Sequence, residues 1–129
     1  MKEYKNIEVI RDYPRFFLRL NRPEVHNALD AQIIHEITHA VQDADQDADI
    51  RVIVISGNGK SFSAGADLNY MKQQTAMNME DNVEDAARLA EMFHAVYMAS
   101  KAVIVSVHGN VAGGANGLLA AADFAVASE

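Results

Sequence analysis

Two short stretches hold residue types that could do chemistry through the backbone. The first is Ser61-Phe62-Ser63-Ala64-Gly65-Ala66-Asp67-Leu68, and the second is His108-Gly109-Asn110-Val111-Ala112-Gly113-Gly114-Ala115-Asn116-Gly117. Each comes after a β-branched run, the first with a Gly57-Asn58-Gly59 turn between. Small residues let a backbone approach a ligand closely and leave its N–H groups unshielded. At the start of a helix such N–H groups also lie at the positive end of the macrodipole. Two such loops after strands of one sheet could aim two donors at one oxygen, the layout of an oxyanion hole. Close packing of helices against a sheet uses the same residue types, and the sequence alone leaves both readings open.

Side-chain chemistry is less well supported. Ser106 and His108 alternate along a strand without an acidic neighbour, and that spacing does not by itself set a nucleophile–base hydrogen bond. The run Asp43-Ala44-Asp45-Gln46-Asp47-Ala48-Asp49 reads as a solvated turn; a calcium loop would need a central glycine and a terminal bidentate Glu. Three of the six methionines, Met71, Met77 and Met79, fit either a mobile lid over an apolar pocket or plain core and surface filling.

The elements that must position the loops follow from periodicity. Val9 and the run Phe16-Phe17-Leu18-Arg19-Leu20 flank a turn at Asp12-Tyr13-Pro14 and predict a hairpin. Asn21-Arg22-Pro23 closes its second strand, because the residue before proline avoids helical geometry. From Asp30, a candidate N-cap, Ile33, Ile34, Ile37 and Val41 follow helical spacing. Residues 51–56 and 102–107 are β-branched strands, apolar on both faces and expected to be buried in a parallel sheet. Residues 57–81 read as largely irregular. Residues 82–100 read as a helix with Ala86, Leu89, Ala90, Phe93, Val96 and Tyr97 on its buried side and Glu84, Asp85, Arg88 and Glu91 opposite. A small-residue helix over 115–122 and a strand from Phe124 complete an α/β order with crossover connections.

Composition narrows the class. The 129 residues carry 11 Lys+Arg against 18 Asp+Glu, a net charge of −7, with half the chain apolar. That length fits one domain with its own core. The acidic balance disfavours nucleic acid and anionic membranes as partners. The absence of cysteine excludes disulfides, thiolate metal sites and a cysteine nucleophile. The first residues hold no apolar signal-peptide core, and the apolar stretch 111–126 is broken by three glycines and Asp123. A soluble, cytoplasmic protein without a membrane span is expected.

Four segments then carry a family resemblance. They are Asn21-Arg22-Pro23-Glu24-Val25-His26-Asn27-Ala28-Leu29; Ser61 to Leu68 as quoted above; Lys101-Ala102-Val103-Ile104-Val105-Ser106-Val107-His108-Gly109-Asn110-Val111-Ala112-Gly113-Gly114; and Ala121-Ala122-Asp123-Phe124-Ala125-Val126-Ala127-Ser128-Glu129. In order and spacing the chain resembles the enoyl-CoA hydratase/isomerase (crotonase) family. The resemblance implies an α/β spiral of ββα units, with residues 1–129 as the N-terminal portion of an acyl-CoA-binding domain. It implies that the backbone N–H groups of Ala66 and Gly114 form an oxyanion hole for the thioester oxygen as it gains enolate charge. It assigns Ala64, Asp67 and Leu68 to the adenine and pantetheine end, and Val25 and His26 to a segment near the CoA phosphates, with Arg22 close by in sequence. An ordinary exposed loop histidine is the competing reading of His26. Asp67 matches a residue expected to cap the following helix rather than to act as acid or base.

The reaction implied is reversible addition of water across a 2,3-double bond conjugated to a CoA thioester. Coenzyme A belongs to the substrate, and no separate cofactor or metal is implied. Hydratases of the family typically use two glutamates. The first would stand three residues after Gly114, where this chain has Gly117; the second would lie beyond Glu129, and Glu129 itself matches a non-catalytic position. Glycine at 117 brings Δ3–Δ2 enoyl-CoA isomerisation forward as the rival, since that needs only one carboxylate. A catalytically inert acyl-CoA-binding fragment is the alternative from another class. A homo-oligomer, trimer or hexamer, is expected for the full family domain.

Overall fold

The computed structural model describes residues 3–128, so Glu129 lies outside the described residues. The hairpin forms as expected: β1 (Ile7–Asp12) pairs antiparallel with β2 (Arg15–Leu20) across Tyr13-Pro14. A single 3-10 turn, Pro23–Val25, leads to α1 (Ala31–Gln46). The Asp30 carboxylate accepts from the Ile33 N–H at 3.0 Å, which caps α1 as its sequence predicts. The strands β3 (Val52–Gly57), β4 (Ala102–Val107) and β5 (Phe124–Ala127) then add in parallel, giving one sheet in the order β1-β2-β3-β4-β5. Between them lie α2 (Leu68–Ala76), α3 (Met79–Met98) and α4 (Ala115–Ala121).

The core occupies one side of the sheet. Phe16, Leu18, Leu20, Ile53, Ile55, Val103 and Val105 point into it and meet Ile33, Ile37, Ala40 and Val41 of α1, with Met92 and Val96 of α3. The expectation that β3 and β4 are buried on both faces is corrected: in β4, Val103 and Val105 are buried, whereas Ala102 is exposed and Ile104 half-buried. Ile53 and Ile55 are fully buried, whereas Val52 and Val54 are only half-buried. Strand register lines Ile10, Phe17, Val54, Ile104 and Phe124 across all five strands on the opposite face. Their β-branched character reflects β propensity as much as burial.

Three more expectations change. Residues 68–76 are helical, within the stretch read as irregular, because only Tyr70 of α2 is buried and no apolar stripe marks the helix. The buried face of α3 is rotated toward Asp85, Met92 and Val96, leaving Ala86 and Ala90 exposed and Tyr97 71% exposed. Asp85 can be buried because Arg88 donates to it at 3.0 Å and Gln74 at 3.5 Å. The aspartate run is at the surface as expected but only partly a turn: residues 43–46 end α1, and its carboxylates find partners. Asp43 pairs with Arg11 at 2.6 Å, Asp47 accepts from Tyr13 at 3.1 Å, and Asp45 accepts from the N–H and Oγ of Ser100 at 2.6 and 2.7 Å.

Candidate active site

The two small-residue loops leave the C-terminal ends of adjacent parallel strands, β3 and β4, and run side by side. Phe62 N–H donates to the His108 carbonyl at 2.8 Å, Ser63 N–H to Asn110 at 3.3 Å, and Ala112 N–H to Ser63 at 3.1 Å. They touch again at Gly65. Its φ is +86°, and a Cβ there would stand 2.7 Å from the Ala112 carbonyl oxygen, so only glycine fits without displacement. Ala66 and Gly114 follow immediately on either side of this contact.

Local hydrogen bonding leaves these two residues with donors to spare. Leu29 bridges the first loop by donating to the Gly65 carbonyl at 2.7 Å and accepting from Asp67 N–H at 2.8 Å, which skips the N–H of Ala66. In the second loop Ala115, Asn116 and Gly117 donate to Ala112, Gly113 and Gly114 at 3.0–3.1 Å. Among the described residues, no hydrogen bond uses the N–H of Ala66 or of Gly114. With α4 only seven residues long, the individual donors matter more than any helix dipole.

Asn27 holds the arrangement and was not singled out in the sequence. It is fully buried at φ +54°, a backbone region that asparagine tolerates better than most residues. Its Oδ1 accepts from Arg22 N–H at 2.7 Å, and its Nδ2 donates to the carbonyls of Asn58, Ser61 and Phe62 at 2.8–3.1 Å. Ser63 Oγ donates to the Asn27 carbonyl at 2.8 Å and accepts from Gly65 N–H at 3.2 Å. The only sequence signal was a polar residue inside an otherwise turn-like segment.

A cavity of about 570 Å³ adjoins the first loop, lined by Val25, His26, Ala28, Ala64, Ala66, Asp67, Leu68, Asn69 and Lys72. It therefore brings together Val25, His26, Ala64, Ala66, Asp67 and Leu68; Gly114 is not on its wall. Lys72 adds a cation that the sequence reading did not assign. His26 is exposed, and its carbonyl accepts from Ala64 N–H at 2.9 Å. Arg22 is otherwise committed: its guanidinium donates to the Ala28 carbonyl at 2.6 Å and lies 3.4 and 3.3 Å from Asp30 and Asp67.

Asp67 caps α2. The N–H of Tyr70, at 3.0 Å, is the main cause that holds its carboxyl below the ordinary aspartate value, with Arg22 adding to it against the opposing effect of burial. A carboxylate so stabilised is a weak base, which fits the cap role. His108 Nε2 meets the Gly59 carbonyl at 2.6 Å and so carries its proton there, tying the strand end to the turn after β3. No hydrogen bond joins His108 to Ser106 among the described residues. Gly117 faces the Phe93 ring.

A family model for enoyl-CoA hydratase/isomerase matches residues 16–129. The chain is 39% identical to the trans-2-decenoyl-[acyl-carrier-protein] isomerase of Streptococcus mutans, over 87% of this chain and 43% of that protein. It is 34% identical to the peroxisomal Delta(3,5)-Delta(2,4)-dienoyl-CoA isomerase of Arabidopsis thaliana, over 100% of this chain and 51% of that one. A solved enoyl-CoA hydratase from Shewanella pealeana superposes with a TM-score of 0.95 at 32% identity, covering 97% of this chain and 47% of that chain. The chain thus spans about half the length of the relatives it matches. It has their fold over that span, and no helix among the described residues is long and apolar enough to cross a membrane. On the match along residues 16–129, this chain belongs to the enoyl-CoA hydratase/isomerase family.

Proposed function

We propose that this chain provides the thioester-binding and enolate-stabilising part of an enoyl-CoA hydratase-like site. The observation that carries the reading is the pair of uncommitted N–H groups, Ala66 and Gly114, on two loops that meet at Gly65. Both donors are neutral and fixed by the fold before any substrate arrives. Such preorganised donors stabilise charge that develops on a thioester oxygen more than they stabilise the ground-state carbonyl. Water adds at C3, the electrons of the 2,3-double bond shift toward the thioester oxygen, and a proton then reaches C2. The cavity walled by Val25, His26, Ala64, Asp67, Leu68 and Lys72 receives the CoA portion, with Lys72 near phosphate and Leu68, 74% exposed, against pantetheine.

The proton-handling group is assigned to the part of the relatives that this chain does not span. Asp67 is committed to capping, and Gly117 has no side chain. The second reading is double-bond isomerisation, favoured by Gly117, because moving a proton between C2 and C4 needs one carboxylate and no added water. Titration calorimetry with free CoA and butanoyl-CoA tests binding, and loss of enoyl-thioester absorbance tests hydration. The reading expects the ester to bind more tightly than CoA alone. Equal affinity for both would remove the assignment of Ala66 and Gly114, and no binding of either would remove the cavity assignment as well. Turnover by the 129-residue chain would show that it holds its own base.

A further inference from the structure

The helices that hold the core lie on one side of the sheet, and side chains on its other side stay open to solvent. Strand register lays that open face out in rows. The middle row is wholly apolar, with Phe17, Val54 and Ile104 half-buried, Ile10 39% exposed and Phe124 64% exposed. In the rows to either side, charges stand only on β1 and β2. Glu8 faces Arg19, and Asp12 faces Arg15, with which it pairs at 2.9 Å. On β3, β4 and β5 the outward positions are all uncharged. The face is therefore neutral, on a chain whose net charge is −7.

A contiguous exposed apolar surface with a polar rim marks an interaction site, and here the charge pattern selects the partner. Two aligned sheets can stack face to face about a two-fold axis in two ways. With the axis across the strands, β1 lies over its own copy, which sets Asp12 over Glu8 and Arg15 over Arg19, like charge on like. With the axis along β3, β1 lies over β5 of the copy and β2 over β4. Every charged strand then meets an uncharged one, Ile10 meets Phe124, Phe17 meets Ile104, and Val54 meets itself. We propose that this face pairs with the same face of a second copy, as a two-fold dimer with β1 of one protomer over β5 of its partner. Five strands about 4.8 Å apart and about 20 Å long remove about 1,000 Å² from water over the two copies, the lower limit for a specific interface. Association is accordingly weak, with a dissociation constant of about 1–100 µM. None of this depends on the thioester reading.

Sedimentation equilibrium of the protein from about 1 to 500 µM is the test, and the wild type shows a monomer–dimer equilibrium within that range. Ile10 and Phe124 stand on the two outermost strands, about 19 Å apart within one sheet, so charges placed there cannot pair inside a protomer. Ile10→Glu and Phe124→Lys each raise the dissociation constant about tenfold or more, and the double variant returns it to within about threefold of wild type. Both positions are exposed, and circular dichroism reads the fold of each variant. Should a charged variant fail to fold, Phe124→Ala only trims an exposed ring and still weakens the dimer about fivefold. A wild type that stays monomeric throughout overturns the proposal and leaves the face to a different polypeptide. A trimer, a dimer indifferent to the single variants, or a double variant no tighter than the singles overturns it as well.

Discussion

Replacing Gly114 by proline removes one N–H and disturbs little else. Gly114 has φ −61°, close to the value of about −65° that the proline ring enforces. It stands at the start of α4, where proline is tolerated because the missing N–H lacks a helical partner. Gly113 before it has no Cβ, which avoids much of the clash that proline imposes on its predecessor. Gly114→Ala is the control, since its Cβ would stand 3.9 Å from Leu29 Cδ1, an ordinary contact, and its N–H remains. One hydrogen bond to a neutral thioester carbonyl is worth about 1 kcal/mol net, so Gly114→Pro should weaken butanoyl-CoA binding about fivefold and leave free CoA unaffected. The transition state carries more charge on that oxygen. Loss of one such donor costs about 10²–10³ in rate, or about 2.7–4 kcal/mol, against little loss for alanine. Calorimetry reads the first number and enoyl-thioester absorbance the second; if the chain binds without turnover, the affinity arm decides alone. The donor argument is refuted if the proline variant keeps wild-type affinity and rate. It is refuted equally if alanine loses as much as proline, because shape rather than the N–H would then be responsible.

Asn27→Ala should destabilise the protein by about 3 kcal/mol in urea denaturation, because it strands the Arg22 N–H and the carbonyls of Asn58, Ser61 and Phe62 around a fully buried position. Asp67→Asn keeps a capping oxygen but loses the charge facing Arg22, so it should be less stable than wild type at neutral pH. Because the folded carboxyl titrates below its ordinary value of 3.8, the difference is fully present above that value; it should disappear as pH falls through the folded pKa, as followed by denaturation at pH 7 and in acid. Tyr70→Phe removes the buried phenol next to Asp85, whose charge helps to raise the tyrosine pKa after the larger effect of burial, and should cost about 1 kcal/mol. Amide exchange across residues 68–76 should be faster in this variant than in the wild type; an unchanged rate would refute a role for the phenol in holding α2.

The strands and the two loops were legible because their signals are local. β-branched runs such as Val52-Ile53-Val54-Ile55 declare a strand, Asp12-Tyr13-Pro14 a turn, and Gly-Asn-Gly a break. Burial was less legible, because alternation is invisible where both faces are apolar. The rotation of α3 was hidden for the opposite reason. Asp85 reads as a surface residue until Arg88, Gln74 and Tyr70 are brought around it by the fold. Arg22 shows the same limit: near Val25 and His26 in sequence it suggests a phosphate ligand, yet Ala28, Asp30 and Asp67 already occupy its guanidinium. The backbone donors were found through the small residues around them, but their freedom is a property of Leu29, which no local pattern connects to Ala66.

A site built on main-chain donors places its constraints away from the donors themselves. Most residues at 66 would retain an N–H, so side-chain identity there carries little information about the proposed oxyanion site. What must persist is whatever fixes the direction of the donors: the bare Cα of Gly65 against Ala112, the Ser63 hydroxyl under Gly65, Asn27 across three loop carbonyls, and Leu29 on both sides of Ala66. Each of these is a packing or hydrogen-bond requirement, and none touches the reacting atoms. The net charge of −7 bears on this in the same way. A bulk acidic balance opposes long-range attraction of an anionic ligand, but exposed charges are screened beyond about 8–10 Å. On the proposed reading, a thioester oxygen held by two neutral N–H groups would be insensitive to that balance, and only a phosphate end would depend on the local cation Lys72. The acidic composition would thus limit how such a ligand is attracted, while the proposed oxyanion chemistry would rest on the backbone.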